Sequence, residues 1–159
     1  MNATATAAVN PAPASNSDEA AEYIWNNHFD KPTLVVSRER VGVQYDALKA
    51  GLGDAHIHYA VKANPAPEII RLLVERGSGF DAASRQEIEL CLSQGADPAT
   101  ISFGNTIKRG VDIAFAHSIG VTLFAADCEA ELDKIAAHAP GARVYIRLIV
   151  ENSLADWPL

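Results

Sequence analysis

The sequence predicts an α/β fold with a parallel sheet, because short apolar strands alternate with amphipathic helices along most of the chain. The strand candidates span 56–62, 79–82, 100–104, 121–124 and 142–150. A glycine stands between each helix and the next strand, where a left-handed C-terminal cap is expected: Gly77, Gly95, Gly120 and Gly141. Since helical crossovers join parallel strands, we expect these strands to lie side by side under a layer of helices.

The part of the chain before this repeat divides into two. Residues 1–18 are rich in Ala, Thr, Asn, Pro and Ser without periodicity, so we predict a disordered leader. A helix is predicted over 19–27, a strand over 33–37 and a helix over 38–50, which Gly51 and Gly53 end. The predicted domain organisation is therefore a leader (1–18), a segment of helix, strand and helix (19–55) and the βα repeat (56–159).

The helices of the repeat are predicted over 67–75, 85–93, 109–117 and 128–138. Ser84, followed three residues later by Glu87, forms a capping box at the start of the second helix. Asp127 is the expected N-cap of the last helix. The acidic residues of that last helix are expected to form a solvated face: Glu129, Glu131 and Asp133. One helix thus follows each of the first four strand candidates.

Two architectures fit this alternation of strands and helices, namely part of a (β/α)8 barrel and an open doubly wound sheet. A closed barrel needs eight strands, whereas this sequence supplies about five. No glycine-rich phosphate fingerprint follows any strand candidate, which disfavours a dinucleotide-binding fold. We therefore predict part of a barrel and expect the sequence to be a truncated piece of a larger protein.

The bulk composition sets limits on partners and compartment. The 159 residues carry a net charge of −7, which argues against nucleic acid or an anionic membrane as a partner. The sequence has no apolar run of the ~20 residues that a membrane span needs, and its N-terminus lacks the pattern of a secretory signal. The two cysteines have no metal-like spacing, and Cys91 is expected in the core. A cytoplasmic protein without a metal site is the expectation.

Lys62, which ends the strand candidate 56–62, has the most distinctive chemistry. Side chains alternate along a strand, so one face carries Ile57, Tyr59 and Val61 and the other carries His58, Ala60 and Lys62. In a barrel the large apolar set packs under the helices, and Lys62 then points into the mouth. A desolvated amine there has a lowered pKa and forms a Schiff base with an aldehyde. From its position alone, an ordinary solvated lysine at a strand end is the commoner interpretation of Lys62.

The carboxyl ends of the strands bring further polar residues to the same rim. In chain order these ends carry Lys62, Asp81, the segment 104–106, Phe124 and Arg147. A lysine, a carboxylate and an arginine on one rim suit an anionic cofactor that bears an aldehyde. The lysine would form the imine, and the arginine would interact with anionic groups.

The segment 58–64 (HYAVKAN) resembles the cofactor-lysine signature of the fold-type III pyridoxal-phosphate enzymes, specifically the ornithine/diaminopimelate/arginine decarboxylase family. The similarity continues through 79–84 (GFDAAS), 101–108 (ISFGNTIK) and 145–148 (YIRL). It covers roughly residue 32 to the end of the chain, with several motifs in the right order. Within the family, 80–81 and 105–108 are more similar to the ornithine or lysine/ornithine branch than to the diaminopimelate branch.

The resemblance implies the cofactor, the reaction and the site. Lys62 corresponds to the lysine that binds pyridoxal 5'-phosphate as an imine, Ala60 is expected to pack close to the cofactor, and Asp81 and Arg147 match pocket-lining positions. The implied reaction is decarboxylation of a basic amino acid, most simply ornithine or lysine, to a diamine in polyamine biosynthesis. Asn105 and Lys108 match the family as well, although both could simply shape the start of the next helix.

The resemblance also implies elements that lie outside these 159 residues. Family members use a histidine that stacks on the pyridine ring, a glycine-rich phosphate loop, a glutamate on the ring nitrogen and a C-terminal β-domain. The strand 33–37 would belong to that β-domain. We therefore expect the parent protein to be a homodimeric decarboxylase and this chain alone to be inactive.

Two other functions remain open at this point. One is an alanine-racemase-like enzyme with the same kind of barrel. The other is a non-catalytic relative, which either carries pyridoxal phosphate or regulates decarboxylase partners.

Overall fold

A computed structural model of the protein describes residues 19–149, apart from the side chain of Glu19. The predicted leader 1–18 and the segment 150–159 lie outside the described residues. Two helices come first, α1 (Glu19–Asn26) and α2 (Arg38–Leu52). The repeat then runs β1 (His58–Ala60), α3 (Pro67–Glu75), β2 (Gly79–Ala82), α4 (Arg85–Ser93), β3 (Ile101–Phe103), α5 (Gly110–Ser118), β4 (Leu123–Ala126), α6 (Glu129–His138) and β5 (Arg143–Ile146).

The five strands form one parallel sheet in the order β1-β2-β3-β4-β5. Each strand therefore lies beside the next strand in sequence, as in a (β/α)8 barrel, whereas a doubly wound sheet reverses its order at a switch point. The register sets Ala60 opposite Asp81, Asp81 opposite Ser102, and Ala125 opposite Tyr145. The predicted five-stranded part of a barrel is confirmed.

The hydrophobic core lies between the outer face of the sheet and the helices. Phe80, Ile101 and Phe124 on the strands are fully buried against fully buried helix residues such as Ile70, Ile88 and Ile113. Each large apolar side chain buried in this way stabilises the fold by roughly 1.5–3 kcal/mol. The prediction that Phe124 ends its strand was wrong, because β4 continues to Ala126 and the Phe124 ring packs 6.2 Å from that of Phe103. Since strand residues alternate, the other face of the sheet is left to smaller and polar side chains.

Local turn chemistry explains where the helices begin and end. The predicted capping glycines all have positive φ, from 75° at Gly77 to 100° at Gly120. Ser84 Oγ accepts a hydrogen bond from Glu87 N (3.2 Å), and a Glu87 carboxylate oxygen accepts one from Ala83 N (2.6 Å). Glu87 is thus occupied in capping α4, as predicted.

Two predictions about individual segments were wrong, one about a helix N-cap and one about a strand. Cys128, and not Asp127, is the N-cap of α6, because β4 runs to Ala126 and leaves Asp127 exposed in the intervening bend. The segment 33–37 is irregular and not a strand, and Leu34 is 84% exposed. A strand needs a neighbouring strand to accept and donate its backbone hydrogen bonds. In the described sheet, neither edge strand, β1 or β5, pairs with the segment 33–37.

None of the helices within residues 19–149 is long and apolar enough to cross a lipid bilayer.

Candidate active site

Lys62 lies just beyond the carboxyl end of β1. The strand ends at Ala60, earlier than predicted, and residues Val61–Ala63 form a single 3-10 turn. Val61 is fully buried and anchors this turn, whereas Lys62 is exposed. Asn64 ends the turn, since its side-chain oxygen accepts a hydrogen bond from Ala66 N (3.0 Å) at the start of α3. The expected desolvation of Lys62 is therefore not found, because the inner face of a five-stranded sheet is open.

Lys62 nevertheless shares a cavity with the residues predicted to accompany it. The cavity has a volume of about 430 Å3 and lies at the carboxyl ends of the strands. Its lining residues are Lys62, Asp81, Ala83, Gly104, Asn105, Tyr145 and Arg147. The lining residues thus come from strands β2 and β5 and from the segments just after β1, β2, β3 and β5, as expected where the carboxyl ends of parallel strands meet.

Backbone hydrogen bonds fix the two loop segments that form the rim. Gly104 N donates to Ala82 O (2.8 Å), and Arg147 N donates to Ala126 O (2.8 Å), so both residues continue the sheet just past β3 and β5. Asn105 Oδ1 accepts a hydrogen bond from Ile107 N (3.3 Å), which closes a tight turn after Gly104. The rim residues are thereby tied to the sheet.

The fourth predicted cofactor residue, Ala60, does not line this cavity. It lies on a separate groove beside α2, together with Val41, Leu48 and Ile57. The strand is shorter than predicted and turns after Ala60, so Ala60 and Lys62 do not stand one above the other on an extended strand. The proximity of Ala60 to a cofactor stays a prediction.

Asp81 is held by two polar residues that the sequence pattern does not single out. Asp81 Oδ1 accepts a hydrogen bond from Ser102 Oγ (2.7 Å), and the Tyr145 hydroxyl lies 3.5 Å from the same oxygen. Partial burial raises the pKa of Tyr145, and the negative charge of Asp81 adds to that increase, which outweighs the lowering effect of Ser102. The three residues come from β2, β3 and β5, so only the register of the sheet reveals the contact.

Gly104 lies directly against the carboxylate of Asp81. A Cβ atom added there would lie 2.5 Å from Asp81 Cγ and 2.6 Å from Asp81 Oδ2, and it would overlap Asp81 Oδ1. The absence of a side chain at Gly104 therefore leaves the space that the Asp81 carboxylate occupies. A glycine at a strand end often marks such a close approach, so Gly104 is a signal of this contact that can be seen in the sequence.

Lys108 lies away from the cavity, in a buried ionic cluster. Its Nζ donates to Asn105 O (2.8 Å) and Ala125 O (2.6 Å) and lies 2.8 Å from Glu131 Oε1. Lys134 Nζ contacts the other Glu131 oxygen at 2.6 Å. Burial alone would raise the pKa of Glu131, but the two ammonium groups outweigh it and the pKa is lowered. The prediction that Glu131 is solvated was wrong, because α6 turns this carboxylate toward Lys108.

The donor set of the cavity fits pyridoxal phosphate. A primary amine, a guanidinium and a carboxylate, from Lys62, Arg147 and Asp81, line one cavity whose volume lies within the usual range for small-molecule sites. The amine can condense with an aldehyde, and the guanidinium suits a phosphate or carboxylate. Within residues 19–149 no group of three or more His, Cys, Asp or Glu residues could hold a metal ion.

Comparison with known proteins gives a consistent picture over the same part of the chain. Residues 38–159 match the model of the "Pyridoxal-dependent decarboxylase, pyridoxal binding domain" family. A lysine/ornithine decarboxylase from Selenomonas ruminantium is 38% identical over 124 residues, which are 78% of this chain and 32% of that protein. Antizyme inhibitor 2 from Xenopus laevis is 38% identical over 95 residues, which are 60% of this chain and 21% of that protein.

The crystal structure of SrLDC in complex with pyridoxal phosphate and cadaverine is similar in fold as well as sequence. It superposes with a TM-score of 0.75 at 34% identity, over 89% of this chain and 37% of that chain. The chain thus spans between 21% and 37% of the length of these three relatives.

Proposed function

The chain belongs to the pyridoxal binding domain family of the pyridoxal-dependent decarboxylases, and on that premise we propose that it forms part of the active site of an enzyme that decarboxylates a basic amino acid. The proposed cofactor is pyridoxal 5'-phosphate, and the proposed substrates are ornithine or lysine, each giving a diamine. One observation supports the proposal above the others: the sheet gathers Lys62, Asp81 and Arg147 around a single cavity.

Each of these residues has a definite task in the proposed site. Lys62 supplies the amine that holds the cofactor aldehyde. Arg147 stands on the same rim and binds an anionic group of the cofactor or substrate. Asp81 adds a negative charge that suits a cationic group of either ligand.

The bound cofactor supplies a conjugated ring that accepts the electron pair released as carbon dioxide leaves the substrate. The chain's own contribution is to orient that ring. Gly104 and Asn105 form the rim between Asp81 and Arg147. Gly104 N donates a hydrogen bond to Ala82 O of β2, and the Asn105 side chain accepts one from Ile107 N in the following turn. A site supported by strand ends holds its groups more precisely than a mobile loop does.

The substrate class rests on the relatives. The similar proteins described above carry the names lysine/ornithine decarboxylase and SrLDC, the latter with cadaverine bound. These names favour a decarboxylase acting on a basic amino acid over the alanine-racemase-like alternative. The homodimeric state of the whole protein stays a prediction.

A regulatory role is the second candidate, because one relative is named as an antizyme inhibitor and not as a decarboxylase. The two candidates make different predictions for Lys62. An enzyme of this family needs a reactive amine there, whereas a purely regulatory homologue gives Lys62 no advantage over other exposed lysines.

Reductive labelling separates the candidates. The chain is incubated with pyridoxal phosphate, reduced with borohydride, digested and mapped, so that the label on each of its five lysines is measured. We expect most of the label on Lys62 and its loss in Lys62→Arg, while Lys49→Arg, at an exposed lysine on α2, leaves the pattern unchanged. Label that is spread evenly over the accessible lysines would refute the enzymatic assignment.

A further inference from the structure

Three polar side chains from three strands meet on the inner face of the sheet. Asp81 of β2 and Ser102 of β3 are register partners, and Ser102 Oγ donates a hydrogen bond to Asp81 Oδ1 over 2.7 Å. Ser102 is only 3% exposed, so its hydroxyl is removed from competition with water. The Tyr145 hydroxyl of β5 reaches the same oxygen at 3.5 Å. These contacts form a triad of Asp81, Ser102 and Tyr145.

Tyr145 reaches Asp81 across two intervening strands of the sheet. Strands β3 and β4 lie between β2, which carries Asp81, and β5, and the β4 residue opposite Tyr145 is Ala125. Ala125 presents only a methyl group and is fully buried, so the Tyr145 ring can pass over β4 toward Asp81. A larger side chain at position 125 would occupy that path.

The triad restrains one end of the Asp81 carboxylate and leaves the other end available. Among the described residues, both hydrogen bonds to this carboxylate involve Oδ1. Gly104 lets the carboxylate pack closely against the backbone of the rim, since a Cβ atom at that position would lie 2.6 Å from Oδ2. Asp81 also lines the cavity that holds Lys62.

We propose that Ser102 and Tyr145 are positioning residues that fix the Asp81 carboxylate so that Oδ2 faces the cofactor held at Lys62. The inference rests on the proposed function, since it concerns how that site holds its cofactor. A charge fixed in advance stabilises a ligand without the cost of reorganising the carboxylate when the ligand binds. The raised pKa of Tyr145, caused by burial and by the charge of Asp81, is consistent with the contact.

The first part of the test examines the triad without any cofactor. The tyrosinate absorbance of the chain is titrated in the wild type and in Tyr145→Phe, and the difference isolates the Tyr145 hydroxyl. Because the charge of Asp81 contributes to the raised pKa of Tyr145, Asp81→Asn is expected to lower it. An unchanged Tyr145 titration in Asp81→Asn would overturn the proposal, whatever the cofactor does.

The second part measures the labelling of Lys62 over a series of pyridoxal phosphate concentrations. Tyr145→Phe and Ser102→Ala each remove one hydrogen bond to Asp81, so each should raise the half-saturating concentration about fivefold. Ser102→Thr keeps the hydroxyl and should restore the wild-type value, which a purely structural role would not predict. Tyr23→Phe, on the exposed helix α1, is the matched control and should have no effect.

The outcomes distinguish failure of the proposed function from failure of the positioning role. Label spread evenly over the lysines of the wild type refutes the proposed function itself. Selective labelling of Lys62 in the wild type, with unchanged half-saturation in both variants, refutes the positioning role alone. Circular dichroism checks that each variant folds, and Tyr145→Phe carries the test if Ser102→Ala does not, since Tyr145 is 36% exposed and its ring is retained.

Discussion

Lys108 and Glu131 form an ion pair of 2.8 Å in which the side chains are 0% and 4% exposed, respectively. The pair joins α6 to the loop that follows β3, and Lys108 Nζ also donates to Asn105 O (2.8 Å), so the cluster lies directly behind a residue of the cavity rim. A charged pair this deeply buried is stabilising only while both partners are present. The position of the rim therefore depends on α6, which contributes no residue to the cavity.

Removal of one partner of this pair should be strongly destabilising. We expect Lys108→Met to lower the free energy of unfolding by about 3–5 kcal/mol, because it leaves the Glu131 carboxylate buried beside Lys134 alone. Urea denaturation measures the change. The double variant Lys108→Met/Glu131→Met should lose less than the sum of the two single variants. A loss below about 1 kcal/mol in Lys108→Met, the value typical of a surface pair, would contradict the argument.

The same pair predicts a pH dependence of stability. The pKa of Glu131 in the folded chain lies below its ordinary value of 4.5. Its contribution is therefore fully present above pH 4.5 and is lost as the pH falls through the lowered pKa. Urea unfolding between pH 7 and pH 3 should show a smaller decline in Glu131→Gln than in the wild type. Parallel declines in both proteins would show that other carboxylates account for the acid sensitivity.

Local sequence signals predicted most of the fold. The glycines at helix ends and the alternation of strand and helix patterns located the repeat, and the strand ends identified Lys62, Asp81 and Arg147 because such ends converge in any parallel sheet. Ser102 and Tyr145 could not be found in this way, since their contacts with Asp81 bridge 21 and 64 residues and depend on register. The local sequence pattern also does not show whether an acidic helix residue is buried by a tertiary contact, or whether an apolar segment finds a strand to pair with.

Glu131 and the segment 33–37 are two examples. Glu131 lies among acidic neighbours on α6, which is the usual pattern of a solvated face, and its burial follows only from the approach of Lys108. Residues 33–37 have strand composition, but strand structure depends on a partner that composition cannot reveal.

The two cysteines should differ in reactivity. Cys91 is fully buried, and burial, with a smaller effect from the Glu87 carboxylate, raises its pKa to about 12. Cys128 is exposed at the start of α6. Ellman's reagent at pH 8 should therefore react with one thiol per folded chain and with two in denaturing urea, and Cys128→Ser should abolish the reaction of the folded chain. Rapid reaction of two thiols in the folded chain would contradict the burial of Cys91.

The open inner face leads to a prediction about turnover. Lys62 and Arg147 are both exposed, so water has access to the groups that would hold the cofactor and substrate. Because exclusion of water strengthens the electrostatic interactions of an active site, we expect this chain to be labelled at Lys62 but to release no carbon dioxide from ornithine or lysine beyond the rate of free pyridoxal phosphate. Carbon dioxide capture from carboxyl-labelled substrate measures the rate. Release above that background, abolished by Lys62→Arg, would contradict the prediction.

Gly104 offers the most direct probe of the cavity, because its environment differs sharply from that of Gly51. A Cβ at Gly104 would overlap the Asp81 carboxylate, whereas a Cβ at Gly51, within α2, has no atom within 4 Å. Gly104→Ala should therefore displace Asp81 and weaken the selective labelling of Lys62, and overpacking of this kind should destabilise the chain by about 1–3 kcal/mol. Gly51→Ala should leave labelling unchanged and stabilise the chain by up to about 1 kcal/mol, since alanine is the better helix former. If Gly104→Ala retains both the stability and the labelling of the wild type, the Asp81 carboxylate has room to move, and its close packing against the rim is not what orients it.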